Sequence, residues 1–234
     1  MSSYTLKLIA LIIMVIDHIG HFFPYIDGMV YMRIIGRLAM PVFFYMLVEG
    51  YVHTKDLEQY KMRLLLFSII MFSGNLLILS LIEFLDIDIY LGYTMSPLSP
   101  NIFLSMFLGL NIIENLEKII KKDYDFKNII KLFLAMFLSI FTEASYYGIL
   151  MCIVFFVFRD DKVKKSILYV VGSLIICFLY QNYIQMFMIF AIFLILLYNG
   201  QKGKKAMKYF FYVFYMAHIW IFSLLSIFIA NYRY

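Results

Sequence analysis

A chain of 234 residues that is 64% hydrophobic and 15% charged, with 25 Phe and 20 Tyr, carries more apolar surface than a soluble core of this length absorbs. The composition excludes an ordinary soluble domain and predicts an all-α polytopic membrane helix bundle, one domain over 1–234. The formal net charge of +5 comes from lysines in the loops; membrane topology accounts for it, and no nucleic-acid partner is implied.

Nine hydrophobic stretches are predicted as transmembrane helices: 5–23, 29–52, 63–84, 99–117, 127–143, 145–159, 166–181, 183–199 and 208–231. The first lacks a small-residue cleavage site and is read as a retained helix rather than a signal peptide. The connections alternate in charge. Asp27 alone marks the first. Lys55, Lys61 and Arg63 mark the second, and Glu83, Asp86 and Asp88 the third. Lys118, Lys121, Lys122 and Lys127 follow, then Glu143 to Gly148 without a base. Arg159, Lys162, Lys164 and Lys165 come next, then the tight Gln181-Asn182 turn, and last Lys202, Lys204, Lys205 and Lys208. Every second loop is basic and is therefore placed in the cytoplasm, with the amino terminus inside and Arg233-Tyr234 outside. Cys152 and Cys177 fall in apolar runs without metal-ligand spacing. They are read as packing residues, and no metal site is expected.

The first stretch contains Asp17, His18 and His21, and charged groups at mid-depth cost a few kcal/mol each, so they face a partner, a cavity or a substrate. His18 lies about 16 Å beyond Lys7 along a helix, and His218 about 15 Å beyond Lys208, so two histidines far apart in sequence share one depth. Arg33 and Arg37 are four apart and share a helix face; Arg33 falls nearer the outer surface. Asp17, His18, His21, Arg37, Glu143 and His218 are expected around one chamber opening outward. Asp17 pairs with Arg37 or His21. His18, pointing about 100° away from Asp17 on the same helix, needs an orienter from another helix, Glu143 or His218. Glu49 and His53 fall near the cytoplasmic edge.

These residues carry a resemblance. Lys7-Leu8-Ile9-Ala10, Asp17-His18-Ile19-Gly20, Arg33-Ile34-Ile35-Gly36-Arg37-Leu38-Ala39-Met40-Pro41-Val42-Phe43, Glu49-Gly50 and His53-Thr54 are followed by Tyr60 and Arg63-Leu64. Asn101, Phe103, Leu108-Gly109, Tyr198-Asn199-Gly200, Gly203 and Phe211-Tyr212-Val213-Phe214-Tyr215 with His218 complete the pattern. The chain resembles the TraX family, named for a plasmid protein that acetylates the amino terminus of pilin, and is distantly similar to the wider transmembrane acyltransferases. Glu143-Ala144-Ser145 stands where the family pattern has Asp-Tyr-Gly, and Met216 where proline is usual.

The resemblance implies a multi-pass acetyltransferase of the bacterial cytoplasmic membrane. Its donor is cytoplasmic acetyl-CoA. Its acceptor is an exported group: the amine of a pilin-like peptide or lipoprotein, or an envelope hydroxyl. His18 is then the base, with Asp17 balancing charge and Arg37 contacting the oxyanion or an acceptor carboxylate. Glu143 and His218 orient the base or hold the acceptor, and Lys61 with Arg63 receive the coenzyme phosphates. His21, Arg33, Glu49, Asn101 and Tyr215 complete the substrate contacts. Two rival readings use the same buried groups: a proton-coupled transporter, in which they relay protons, and a non-enzymatic scaffold, in which they pack helices.

Overall fold

The computed structural model describes residues 1–24, 26–84, 96–122, 124–203 and 208–232. Asp86, Asp88, Lys204, Lys205 and Arg233-Tyr234, which enter the charge alternation, lie outside them. The described residues form helices α1 (Ser3–Phe22), α2 (Met29–Gly36), α3 (Ala39–His53), α4 (Leu57–Phe84), α5 (Ile102–Ile120), α6 (Phe126–Ser139), α7 (Ser145–Val157) and α8 (Lys162–Leu179). A 3-10 segment, Ile184–Phe190, then runs into α9 (Ala191–Leu196), and α10 (Lys208–Tyr232) completes the chain. The protein is all-helical, with no named strand among the described residues. Four stretches are long and apolar enough to cross a bilayer: Ser3–Phe22, Met29–His53, Leu57–Phe84 and Tyr209–Ile229.

Local chemistry sets the helix ends. The Ser2 side chain caps α1 through the Thr5 N–H, and Asn101 caps α5 through the Leu104 N–H. Asp161 caps α8 through the N–H groups of Val163 and Lys164. Asp56 accepts from the Gln59 N–H at 2.8 Å, so α4 begins at Leu57, six residues before the apolar run expected from 63. The added turn carries Glu58, Gln59 and Lys61, which a hydropathy reading assigns to a loop.

Two predicted spans are interrupted. The stretch 29–52 divides into α2 and α3 at Arg37–Leu38. Pro41 is the cause: it has no N–H to donate to the Arg37 carbonyl, and its ring crowds that carbonyl. The chain passes the break on shorter bonds, with the Leu38 N–H donating to Ile35 O at 3.2 Å. The stretch 183–199 begins as a 3-10 helix before becoming α9.

Helix α1 packs on α2, α3 and α10. Its approach to α2 requires glycine twice. A Cβ at Gly36 would overlap the Asp17 side chain, and one at Gly20 would come within 2.8 Å of the Met29 carbonyl. The core, with Leu6, Phe22, Phe44, Leu47, Leu64, Met71, Met151, Phe155 and Tyr169 almost wholly buried, joins α1, α3, α4, α7 and α8. Tyr169 Oη donates to the Met188 carbonyl at 2.6 Å and ties α8 to the 3-10 segment.

The basic segments gather at one end of the molecule. The Ser3 N–H donates to Gln201 O at 2.8 Å and the Tyr4 N–H to Lys202 O at 3.3 Å, so the start of α1 is clasped by the loop after α9. Ser3 Oγ reaches Met46 Sδ of α3 at 3.5 Å, and Gly50 packs on the Tyr60 ring of α4. Lys61 bridges to Glu114 of α5 at 2.8 Å, which also holds Lys118 at 2.6 Å.

Candidate functional site

A cavity of about 760 Å³ follows α1 from Lys7 to His21. One end is bordered by Lys7, Gly50, His53, Thr54, Tyr60, Arg63 and Lys202. Its middle is apolar, with Met14, Met40, Phe43, Phe103 and Met106 in the wall. The other end carries Asp17, His18, His21, Arg33, Arg37, Glu143, Ser145, Asn182 and Gln185.

Three interlocked groups build the polar end. The first is a charge triad. Arg33 Nη1 donates to Asp17 Oδ2 at 2.7 Å, and Arg37 Nη2 donates to Asp17 Oδ1. Arg37 also donates through Nε to the Arg33 carbonyl at 3.1 Å and through Nη1 to Gln185 Oε1 at 2.8 Å. Asp17 therefore engages both arginines. Arg33, expected near the outer surface, is drawn inward onto the carboxylate because α2 closes tightly over Gly20 and Gly36.

The second group is a histidine pair. His18 Nδ1 lies 2.8 Å from His218 Nε2, and His218 Nδ1 lies 2.7 Å from the Phe214 carbonyl. A carbonyl only accepts, so His218 Nδ1 carries the proton. Neutral His218 then accepts at Nε2, His18 donates from Nδ1, and His18 Nε2 keeps the lone pair. Both rings are buried, at 5% and 6% exposure. Between the two candidate orienters of His18, the geometry selects His218.

The third group is Glu143 with Tyr215. Tyr215 Oη donates to Glu143 Oε2 at 2.9 Å and accepts from the Ile102 N–H at 3.3 Å. The Asn101 N–H also points to Glu143. Glu143 lies in the turn after α6, which ends at Ser139 rather than at 143. Tyr215 stacks edge-on to both histidines, with centroids 6.1 and 5.6 Å away. His18, Tyr215 and Glu143 line the cavity, while His218, expected around the same chamber, is not in its wall and reaches it only through His18.

Other expected residues fall elsewhere. Lys61, paired with Glu58 and Glu114, is not in the cavity wall, so it does not stand beside Arg63 there. Glu49 is also outside the wall; its carbonyl faces His53 Nδ1 at 2.9 Å. Asn101 is spent on structure, donating to Ser68 O at 2.9 Å and capping α5. His21 lines the cavity beside the Phe22 ring. Gln185, Asn182, Lys7 and Lys202 are wall residues that the sequence reading did not single out. Gln185 is an isolated amide in an apolar run, and that is the one signal that marks it.

Fold and site together define an all-helical membrane-type protein with a charged, histidine-bearing cavity among its helices. The family model described as TraX protein matches residues 2–226, and the chain belongs to that family. It is also 38% identical over 71 residues to a probable fimbrial assembly protein FimC, serogroup H1, of Dichelobacter nodosus. That match covers 30% of this chain and 29% of the relative, so the chain spans less than a third of that protein's length. No solved structure matches the chain.

Proposed function

We propose that this protein is an acetyltransferase of the bacterial cytoplasmic membrane that moves an acetyl group from cytoplasmic acetyl-CoA to an exported acceptor. The observation that carries the reading is the His18–His218 pair, whose hydrogen bonds leave a lone pair on a histidine in the wall of a cavity running along α1. The basic loops gathered at the Lys7 end fit a cytoplasmic face, and nine crossings with the amino terminus inside fit the loop charges.

In the proposed reaction the acceptor's amine or hydroxyl attacks the thioester carbonyl. A C–N or C–O bond forms, the C–S bond breaks, and the thiolate leaves. The acceptor's proton passes to His18 Nε2 and then to the sulfur. His218 holds His18 in the reactive tautomer. The guanidinium N–H groups not used on Asp17, Gln185 and the Arg33 carbonyl face the developing oxyanion. Glu143 and Asn182 lie where an acceptor entering from the far end would pass. The fimbrial assembly relative makes a fibre subunit the favoured acceptor, a pilin-like peptide amine; a lipoprotein amine or an envelope hydroxyl fits the same chemistry.

A cavity following α1 from end to end also fits a proton-coupled transporter, and one experiment separates the two. Membranes are incubated with acetyl-labelled acetyl-CoA, wild type beside His18→Ala, and labelled products are identified by mass. Label on an acceptor in wild type alone supports acyl transfer. Equal label in both removes His18 from the mechanism.

A further inference from the structure

The Lys7 end of the cavity has a composition unlike its other end. Lys7 comes from α1, Arg63 from α4 and Lys202 from the loop after α9, and all three are in the wall. Among the described residues, the carboxylates in that wall are Asp17 and Glu143, both at the opposite end and both engaged. Among the described residues Lys7, Arg63 and Lys202 form no ion pair. Neighbouring Lys61, Lys118 and Lys121 each have a glutamate within 2.9 Å. Topology alone places lysines on this face, but it does not leave three cations from three segments facing one cavity without a counter-charge.

Arg63 adds a second observation. Its Nη1 is held by Gln59 Oε1 at 2.7 Å and its guanidinium lies 5.6 Å over the Tyr60 ring, yet among the described residues its buried Nε has no hydrogen-bond partner. A buried unpaired donor is costly and points to an acceptor that arrives with a ligand. Lys202 is fixed by the clasp on α1, where a Cβ at Gly203 would come within 2.9 Å of Ser2 Cβ.

We propose that Lys7, Arg63 and Lys202 form the anion-binding mouth that takes the phosphates of the coenzyme A thioester, with the pantetheine arm threading the apolar middle of the cavity to His18. The reach agrees. Lys7 to His18 is eleven residues, about 16 Å of helix. An extended chain advances about 1.2 Å per bond, so the roughly thirteen bonds from phosphorus to sulfur span ~15 Å. The ligand's identity rests on the acyl-transfer reading above; the mouth rests on its own geometry. It replaces Lys61 with Lys7 and Lys202 as partners of Arg63.

The test is equilibrium binding of labelled acetyl-CoA, and of S-acetylpantetheine, which lacks the phosphates, to the purified full chain in zwitterionic nanodiscs. The variants are Lys7→Gln, Arg63→Gln and Lys202→Gln, with Lys121→Gln as a cytoplasmic-lysine control outside the wall. Melting temperatures confirm folding, and the exposed Lys202 site gives a variant with little structural burden. The expected result is acetyl-CoA affinity at least tenfold weaker in each of the three, unchanged in Lys121→Gln, with S-acetylpantetheine affinity the same throughout. Three variants that bind acetyl-CoA like the control overturn the mouth and leave the transfer reading standing. Wild type that binds acetyl-CoA no better than S-acetylpantetheine also overturns the mouth. Binding through the three cations, with wild-type transfer no faster than His18→Ala, upholds the mouth and overturns the transfer reading.

Discussion

Asp17 holds two guanidiniums at once, and the charge count makes its loss asymmetric. Asp17→Asn leaves Arg33 and Arg37, with side chains 25% and 16% exposed, repelling each other across a shared amide. Breaking such a partly buried pair costs about 3 kcal/mol. A fall in melting temperature in detergent is expected, and the double variant Asp17→Asn/Arg37→Gln is expected to recover part of it. Additive losses in the two single variants would show that the residues act independently. At the histidine pair the roles differ. His18→Ala removes the proton acceptor, and transfer is expected to fall roughly 10²-fold or more, well beyond the modest melting shift that loss of the buried hydrogen bond to His218 brings. His218→Gln keeps a hydrogen bond to His18 but lets the amide flip, so His18 loses its fixed tautomer. A smaller loss, with a changed pH profile for the remaining activity, is expected. An unchanged profile and rate would mean that His218 serves packing alone.

The elements of the bundle were largely legible, and the exceptions have definite causes. Hydropathy finds an apolar run but not its cap, so α4 begins before its run, where Asp56 stops the preceding loop. The break at Arg37–Leu38 follows from Pro41, whose effect falls four residues earlier, where a hydropathy reading shows one unbroken apolar run. Asp17, His18, Arg37 and Glu143 stood out as ionisable groups in apolar surroundings, and the structure draws them to one cavity end. Gln185 did not, because an amide among Met and Phe carries no charge and its value depends on where the 3-10 segment aims it. Lys202 was hidden by the opposite problem, since in a basic loop every lysine looks alike until a clasp fixes one over a cavity, and Lys7 served in the sequence only as the marker of a helix edge. Gly36 is the element-level test. Gly36→Ala must push α2 away from Asp17, at an overpacking cost of about 1–3 kcal/mol. Because the displaced groups are the triad itself, activity is expected to fall well beyond what the melting shift explains. A variant with wild-type turnover would show that the α1–α2 contact does not position the site.

At the scale of the whole molecule, one cavity links two chemically distinct ends: cations without carboxylates near the start of α1, and balanced charges with a histidine pair near its finish. A transmembrane acyl transfer needs this polarity, because donor and acceptor approach from opposite sides and only the acetyl group changes hands. In the proposed reaction the apolar middle, with Met40, Phe43, Phe103 and Met106, is the part of the cavity that keeps water from a thioester. The arrangement makes a prediction about sidedness that is independent of activity. Gln201 and Asn182 are both exposed and belong to opposite ends of the bundle. The two native cysteines, Cys152 and Cys177, are buried and give a quiet background. With a membrane-impermeant maleimide, Asn182→Cys is expected to label in intact spheroplasts, and Gln201→Cys only in inverted vesicles. Labelling of both from the same side would place both cavity ends in one compartment, and no donor and acceptor could then meet across the bilayer at His18.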